Sequence, residues 1–382
     1  MNSLKEQLIK WRHYLHIHPE SAMEEFHTSD YLAKELIKMG LEVHRNIAGT
    51  GIVANLKVGS GEKVIGLRAD MDCINIQEAQ DLPHKSQNAN KMHACGHDGH
   101  MATLLGAAKL LSENRNFNGT VRFIFQPGEE PGLGAKAMIE DGILSKFPID
   151  EIYGLHNMPL PEGIIATRVG GIMASEDNFV IKIKGKGGHA SSPQHTIDPL
   201  VIAAEIILAL QTVVSRNVSP LDAAVISCTE FITDGIRNAI PSNVIIKGDT
   251  RSFKPEVQTL LENRMKKISE GICEQYGATC EFEYTHEFSP TINEENCTQY
   301  ALEAARNVVS DENVDPNCEP LMVSEDFGLF LQRVPGCFIF LGNRRENEEL
   351  IPLHNSSYDY NDGILETGVK YFAELIKLRL PE

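Results

Sequence analysis

The chain has 382 residues, 42% of them hydrophobic, which is long enough for two domains with buried cores. Its 53 acidic residues outnumber its 35 Lys and Arg residues and give a formal net charge of −18, which disfavours nucleic acid and anionic membranes as partners. Charged Lys5, Glu6 and Lys10 interrupt the first segment, and the longest apolar run, 201–210, contains Glu205. We therefore expect no signal peptide, no membrane span and a cytoplasmic location.

The first part of the chain alternates between helical and strand patterns. Apolar spacing predicts helices at 4–15, 31–37 and 101–111, and β-rich runs predict strands at 52–56, 64–67, 120–125, 151–155 and 164–169. Such alternation predicts an α/β domain with a mostly parallel mixed sheet flanked by helices. Ligands of such sheets bind in the loops beyond the carboxyl ends of the strands.

The pattern changes near residue 175 and changes back near residue 290. Between these points the sequence predicts strands at 179–183, 224–229, 244–250 and 279–284 and helices at 198–214 and 255–276. This composition indicates an inserted α+β domain with a four-stranded antiparallel sheet and two helices. Helices at 296–309 and 362–378 and a strand at 337–341 then follow. We predict one domain formed by 1–175 and 290–382, with 176–289 inserted.

Three His, one Cys and one Asp lie in the run His93-Ala94-Cys95-Gly96-His97-Asp98-Gly99-His100. Cys95 and His97 are two residues apart, so an extended backbone would direct both side chains to the same side. Thiolate and imidazole bind Zn²⁺, Co²⁺, Ni²⁺ or Mn²⁺ well. Asp70 and Asp72 end the strand at 64–67 and could orient such ligands from behind. The alternative is a loop held by structural hydrogen bonds.

Further donors follow other predicted strands. Glu129 and Glu130 come after the strand at 120–125, where one carboxylate could bind a metal ion and its neighbour could act as a base. His156 follows the strand at 151–155, and His354 lies near the C-terminus. The donors Cys95, His97, Glu130, His156 and His354 are about the number that two metal ions with a shared ligand require.

These residues resemble the metal-dependent aminoacylase and carboxypeptidase-like amidohydrolases, in the branch with hippurate hydrolase, auxin-conjugate hydrolases and N-acetyl-diaminopimelate deacetylase. The resemblance extends over essentially the whole chain. The matching motifs are at 16–20, 66–72, 92–100, 126–130, 154–157, 185–190, 324–327 and 353–362. Gly128 stands where relatives usually carry Ala, and Gln194 stands where many carry His, with His195 one position later.

The resemblance implies a zinc-peptidase-like fold with a lid domain at 176–289 that forms a homodimer or homotetramer. It implies two divalent ions (Zn, Mn, Ni or Co) bound by Cys95, His97, Glu130, His156 and His354. Glu129 would be the general base, and we count Asp70 with the catalytic candidates. His189 would reach the scissile carbonyl, often from the partner subunit. Asn238 and Arg251 would face the carboxylate of the substrate.

The resemblance implies metal-dependent hydrolysis of N-acyl-L-amino acids, hippurate-like or N-acetylated, to a carboxylic acid and a free amino acid. A dipeptidase or aminopeptidase remains an alternative, in which Asp70 or Asp98 could bind a free amino terminus. A Cys95–His nucleophile, a non-catalytic ligand-binding protein and a structural zinc protein are further alternatives. Retention of Glu129 argues against the binding protein, and donors spread along the chain argue against a closed zinc site.

Overall fold

The computed structural model describes residues 3–345 and 349–382. Within them, the α-helices are α1 (Leu4–Ile17), α2 (Phe26–Lys38), α3 (His97–Glu113), α4 (Gly134–Glu140), α5 (Ile143–Lys146), α6 (Pro199–Asn217), α7 (Pro255–Tyr276), α8 (Glu295–Arg306), α9 (Gly328–Leu331) and α10 (Leu365–Arg379). The β-strands of these residues are β1 (Glu42–Ile47), β2 (Gly51–Val58), β3 (Val64–Asp70), β4 (Gly119–Gln126), β5 (Glu151–Pro161), β6 (Ile165–Ala166), β7 (Gly170–Met173), β8 (Glu176–Lys184), β9 (Gly188–His189), β10 (Ala224–Thr233), β11 (Ala239–Ile240), β12 (Asn243–Ser252), β13 (Thr279–Phe288), β14 (Thr291–Asn293), β15 (Val314–Asp315) and β16 (Gly336–Arg344).

The chain divides into two compact units, which are called here the first and the second unit. The first unit comprises Met1–Ile172, Ile292–Glu319 and Asp326–Glu382. The second unit comprises Met173–Thr291 and the short segment Pro320–Glu325. That segment lies far along the chain from the rest of the second unit, and no sequence pattern indicated where it belongs.

The first unit is built on a mixed sheet with the strand order β1-β2-β4-β3-β5-β16-β6-β15. Its centre is parallel, because β3 pairs in parallel with both β4 and β5, and β5 pairs in parallel with β16. The buried faces of α1, α3 and α10 contribute to one hydrophobic core together with these strands. The predicted α/β class with a mixed sheet flanked by helices is confirmed.

The edges of this sheet differ from the sequence-based prediction. β1 and β2 form an antiparallel hairpin. β2 in turn pairs with β4 in antiparallel fashion, so this side of the sheet is not parallel. The polar residues of β1 gave no strand signal, because most of its side chains are exposed or only partly buried. The predicted strand at 164–169 is wrong in its extent: only Ile165–Ala166 forms β6, and Gly170 begins β7.

The second unit contains a four-stranded antiparallel sheet with the order β10-β12-β8-β13. Helices α6 and α7 pack on it, and Phe179, Ile181, Ile206 and Leu261 lie in their common core. A separate antiparallel ribbon pairs β9 with β11. The predicted antiparallel sheet with two helices is present as expected.

Helix α6 (Pro199–Asn217) confirms the helix predicted at 198–214 and extends slightly beyond its C-terminal end. It has 19 residues, and by length and composition alone it could cross a membrane. Its residues Ile202, Ile206, Leu210 and Val213 are buried in the core of the second unit, as in a core helix of a globular domain. Length and composition are therefore weak evidence for a membrane span here.

Candidate metal centre

Three neighbouring strands carry the first candidate residues to one edge of the sheet. Asp70 is the last residue of β3, Glu129 and Glu130 follow β4, and His156 lies in β5. Because β3, β4 and β5 are parallel neighbours, their carboxyl ends meet at the same edge. The fold thus brings together residues that are up to 86 positions apart, Asp70 and His156.

The five predicted donors form one cluster. Cys95 Sγ lies 3.4 Å from His156 Nε2 and 3.3 Å from His354 Nε2. Glu130 places Oε2 3.5 Å from His354 Nε2 and Oε1 3.8 Å from His97 Nε2. A tetrahedral Zn²⁺ ion would hold a thiolate sulfur and an imidazole nitrogen about 3.5 Å apart. The spacing of the donor atoms therefore fits metal ions held between them.

Two of these donor atoms support a metal centre independently of the distances. His97 Nε2 and Glu130 Oε1 are buried and have no hydrogen-bond partner among the described residues. Buried polar atoms are nearly always paired, so each unpaired atom requires an explanation. Metal ions would supply it, because overlapping groups of donor atoms surround the same space: Cys95, His97 and His156; Cys95, Glu130 and His354; and His97, Glu129 and Glu130.

The local backbone of the motif at 93–100 corrects one sequence-based inference. Cys95 and His97 do not lie on an extended backbone: Gly96 has φ +93°, and α3 begins at His97. A side chain at Gly96 would place its Cβ 2.3 Å from Asn157 Oδ1, so only glycine fits this turn. Cys95 and His97 therefore contribute to the same cluster through a left-handed turn into a helix.

Backbone carbonyls define the protonation of two metal-site histidines. The Nδ1–H group of His97 donates to the carbonyl of Asp72 at 2.9 Å, and that of His156 donates to the carbonyl of Asn157 at 2.7 Å. A carbonyl can only accept, so the proton of each neutral ring lies on Nδ1 and the lone pair lies on Nε2. Both Nε2 atoms are the ones that face the cluster.

The pKa values of the donor residues are shifted, and protons and metal cations would compete for the same donor atoms. Burial disfavours protonated His97, but the charges of Asp70 and Asp72 outweigh it and raise the pKa of His97 to about 10. Burial raises the pKa of Glu130 to about 7 although the charge of His97 opposes this shift. Burial also lowers the pKa of His156 well below its usual value, which leaves its lone pair available. A divalent ion can replace the proton on His97.

The carboxylates of Asp70 and Asp72 lie beside the donor residues and contact them or their neighbours. Asp70 is fully buried between Arg68, at 2.8 Å, and His100 Nδ1, at 2.7 Å, and it is 3.8 Å from His97 Nε2. Asp72 accepts the backbone N–H of Glu130 at 3.0 Å and places its other oxygen 3.3 Å from His97 Nδ1. Asp72 thus contacts two of the donor residues, Glu130 and His97, directly. Asp70 contacts His100 and lies near His97.

His354 has an unusual backbone conformation that the sequence did not indicate. Its φ is +61°, although it is not glycine, and its N–H donates to the carbonyl of Ala94 at 2.9 Å. Left-handed conformations of non-glycine residues cost energy and are concentrated at functional sites. The side chain of His354 is 54% exposed, so this side of the cluster faces solvent within the first unit.

The loop that carries Glu129 depends on a glycine that differs from the resembling family. Gly128 has φ +57°, its N–H donates to Glu25 at 2.8 Å, and an added Cβ would lie 2.6 Å from Met23 Sδ. Glu25 is fully buried and also accepts from Thr50 at 2.6 Å. In this chain Gly128 is therefore favoured by the turn, and Ala would be strained there.

Sequence reasoning named Asn157 and Tyr358 only within motifs and gave them no role. Asn157 is fully buried, contacts the ring of His100 and hydrogen-bonds the hydroxyl of Tyr358 at 2.5 Å. It thus joins the strand of His156 to the loop of His354. Its place directly after His156 was the available signal.

The remaining predicted residues belong to the second unit. His189 is exposed on β9, which pairs with β11, and the carbonyl of Asn238 accepts the N–H of Ala190 at 3.1 Å. Arg251 lies on β12 and contacts Glu176 at 2.8 Å and Asp249 at 2.6 Å. His189 and Asn238 are thus neighbours on one ribbon, and Arg251 lies on a separate sheet. Their roles toward a substrate stay predictions.

The residues considered for binding a free amino terminus are already paired. Asp98 is fully buried and contacts His16 at 2.8 Å and Arg12 at 3.5 Å. Asp70 is held by Arg68 and His100 in the same way. Neither carboxylate is exposed, so neither of these two residues is available to bind a free amino terminus.

Comparison with known proteins gives matches over most of the chain. A profile described as Peptidase family M20/M25/M40 matches residues 66–378. Hippurate hydrolase of Campylobacter jejuni is 41% identical, with 97% of this chain and 96% of the relative covered. N-acetylcysteine deacetylase of Bacillus subtilis is 37% identical, with 97% and 96% covered. The crystal structure of Bacillus subtilis YxeP, described as a dinuclear metal binding peptidase, superposes with a TM-score of 0.86 at 34% identity, covering 99% of this chain and 98% of that one.

Proposed function

The chain belongs to Peptidase family M20/M25/M40, and we propose on that basis that it hydrolyses the amide bond of N-acyl-L-amino acids in a metal-dependent reaction. The products are a carboxylic acid and a free amino acid. The observation that carries this proposal is the buried donor cluster with unpaired His97 Nε2 and Glu130 Oε1. The names of the relatives, hippurate hydrolase and N-acetylcysteine deacetylase, support the substrate class.

Cys95, His97, Glu130, His156 and His354 are the proposed ligands of two divalent ions, with Zn, Mn, Ni or Co as candidates. When bound, such ions polarise the substrate carbonyl and lower the pKa of water from about 15.7 toward 7. Glu129 and Glu130 lie at nearly the same distance from His97 Nε2, 3.9 Å and 3.8 Å, but Glu130 also lies 3.5 Å from His354 Nε2. Because Glu130 faces two other donors, we assign the metal-ligand role to Glu130 and the proton transfer to Glu129.

Glu129 is the proposed general base and acid. It takes one proton from the attacking water as the C–O bond forms, and it delivers that proton to the nitrogen as the C–N bond breaks. One water is consumed and no other reactant is needed. Asp70 and Asp72 hold the surrounding donors in place through His100, His97 and Glu130.

Residues of the second unit are proposed to bind and polarise the substrate. His189 would donate a hydrogen bond to the carbonyl oxygen as negative charge develops there. Arg251 and Asn238 would bind the carboxylate of the amino acid. The pairing of Arg251 with Glu176 and Asp249 orients its guanidinium, so a substrate carboxylate would have to share it with them.

A substrate comparison tests this proposal. Metal-loaded enzyme is assayed with N-benzoylglycine, N-acetyl amino acids and dipeptides of the same C-terminal residue. We expect higher kcat/KM on the acylated compounds, because Asp70 and Asp98 are not free to bind an ammonium group. Faster cleavage of the dipeptides would contradict the proposal.

We also propose a cytoplasmic homodimer or homotetramer formed through the second unit. Leu208 and Val201 of α6, which are 71% and 55% exposed, support a surface that another subunit covers. Sedimentation velocity tests this, and a monomer at micromolar concentration would contradict it.

A further inference from the structure

Nδ1 of His189 accepts hydrogen bonds, whereas Nδ1 of His97 and of His156 donates them. The backbone N–H of Ser191 lies 3.1 Å from His189 Nδ1, and the hydroxyl of Ser191 lies 2.8 Å from the same atom. A backbone amide can only donate, so Nδ1 must carry the lone pair. The proton of the neutral ring is then on Nε2.

The backbone around His189 is fixed on both sides, which holds this geometry in place. His189 pairs with Ala239 in the ribbon, and the N–H of Ala190 donates to Asn238. On the other side the N–H of Ser192 donates to the carbonyl of His189 at 2.9 Å. The chain therefore turns directly after His189, and this turn aims the amide and hydroxyl of Ser191 at the ring.

We propose that Ser191 is a positioning residue that fixes His189 as the Nε2–H tautomer and fixes the orientation of its ring. This inference rests on the proposed function, in which His189 donates a hydrogen bond to the reacting carbonyl. An unrestrained neutral imidazole populates both tautomers, and the Nδ1–H form would present a lone pair at Nε2. That lone pair would repel the developing oxyanion instead of stabilising it.

The tautomer is measured directly by nitrogen NMR of the full chain with ¹⁵N-labelled histidine, and the His189 signals are identified by their loss in His189→Ala. We expect a protonated Nε2 and an unprotonated Nδ1. The Ser191→Ala variant keeps the amide that sets the tautomer but lacks the hydroxyl, so Nε2 should stay protonated while the Nδ1 signal shifts, because that atom loses one of its two hydrogen bonds. A ring protonated at Nδ1 in the unmodified protein would overturn the proposal.

Kinetics test whether the contact between the Ser191 hydroxyl and the ring of His189 matters for turnover. Ser191→Ala should lower kcat about threefold to tenfold, the loss expected from one ordinary hydrogen bond, with little change in KM. Ser191→Thr keeps the hydroxyl and should restore kcat. Ser192→Ala is the matched control, since that residue contacts His189 only through its own backbone. In a His189→Ala background, Ser191→Ala should have no further effect.

The possible failures can be told apart. A tautomer mixture in an enzyme that hydrolyses N-acyl amino acids, or an unchanged kcat in Ser191→Ala, would refute the role of Ser191 alone. A pure Nε2–H tautomer in a protein that does not hydrolyse these compounds would refute the proposed function, and with it any role of Ser191 in turnover.

Discussion

His97 and His156 of the first unit differ from His189 of the second unit in the backbone group that contacts Nδ1. In the first unit, carbonyls accept from Nδ1 of His97 and His156, so in the neutral rings Nε2 carries the lone pair that faces the donor cluster. In the second unit, the amide of Ser191 donates to Nδ1 of His189, and Nε2 is left as a proton donor. The first two rings are buried and the third is exposed.

This difference shows how one residue type can serve two kinds of chemistry. A neutral imidazole has one donor and one acceptor, so the partner of one nitrogen decides what the other can do. A carbonyl that accepts from Nδ1 leaves Nε2 as a metal ligand, and an amide that donates to Nδ1 leaves Nε2 as a hydrogen-bond donor.

The largest effect is expected for the proton-transfer residue of the first unit. Glu129→Gln should lower kcat by about 10²–10⁴-fold, because the amide keeps the shape of the side chain but cannot carry the proton. Metal content, measured by atomic absorption, should stay normal. Glu130→Gln is the matched control and should lose metal. Normal turnover in Glu129→Gln would remove it as the base.

On the side of the second unit, His189→Ala removes the proposed donor. We expect kcat to fall about 10²–10³-fold with little change in KM, because the hydrogen bond forms mainly in the transition state. Metal content should not change. His195→Ala, a nearby exposed histidine, serves as the control and should keep most of the activity. A change in KM alone would count against the oxyanion role.

A smaller effect is expected from the carboxylate beside His97. Asp72→Asn should weaken metal binding about tenfold, since the charge near His97 Nδ1 is lost while the carbonyl of Asp72 remains. Competition with a chromogenic chelator measures the affinity. Asp81→Asn changes an exposed carboxylate of the first unit and should leave it unaltered. Unchanged affinity in Asp72→Asn would show that the carbonyl alone orients the ring.

Buried and exposed ion pairs should also differ in what they contribute to the stability of the fold. Burial alone would raise the pKa of Glu151, but hydrogen bonds from Arg379 and Lys63 outweigh it and lower the pKa to about 2. The stabilisation is therefore present above pH 4.5, the ordinary value, and is lost as the pH falls toward 2.

Glu151→Gln should accordingly reduce the free energy of unfolding by about 2 kcal/mol at pH 7, allowing for solvent screening, and by less as the pH falls. Urea unfolding at several pH values measures it. Glu283→Gln removes an exposed partner of Lys182 in the second unit and should have little effect at any pH. A pH-independent difference for Glu151→Gln would contradict the linkage.

The sequence predicted those parts of the site that depend on residue type and on strand order. Glu130 follows β4 and His156 lies in β5, and both strands run parallel to β3 between them, so the meeting of these residues at one end of the sheet follows from strand direction. The inserted antiparallel sheet could be inferred from strand and helix patterns in the same way.

The parts that the sequence did not indicate depend on backbone geometry. The turn at Gly96 leaves room for Asn157, and the N–H of His354 in its left-handed conformation donates to Ala94; in each case the partner is distant in the chain. The tautomers of His97 and His189 depend on whether a carbonyl or an amide faces the ring. The assignment of Pro320–Glu325 to the second unit likewise depends on tertiary contacts.

The central claim is that five distant donors hold the ions on which turnover depends. The most direct test strips the purified protein with a chelator, measures hydrolysis of an N-acyl amino acid, and refills it with Zn²⁺, Mn²⁺, Co²⁺ or Ni²⁺ while bound metal is counted. The account predicts loss of activity on stripping and recovery as two ions bind per chain. Full activity in metal-free protein, with inactivation by thiol alkylation of Cys95, would contradict it and favour a cysteine nucleophile.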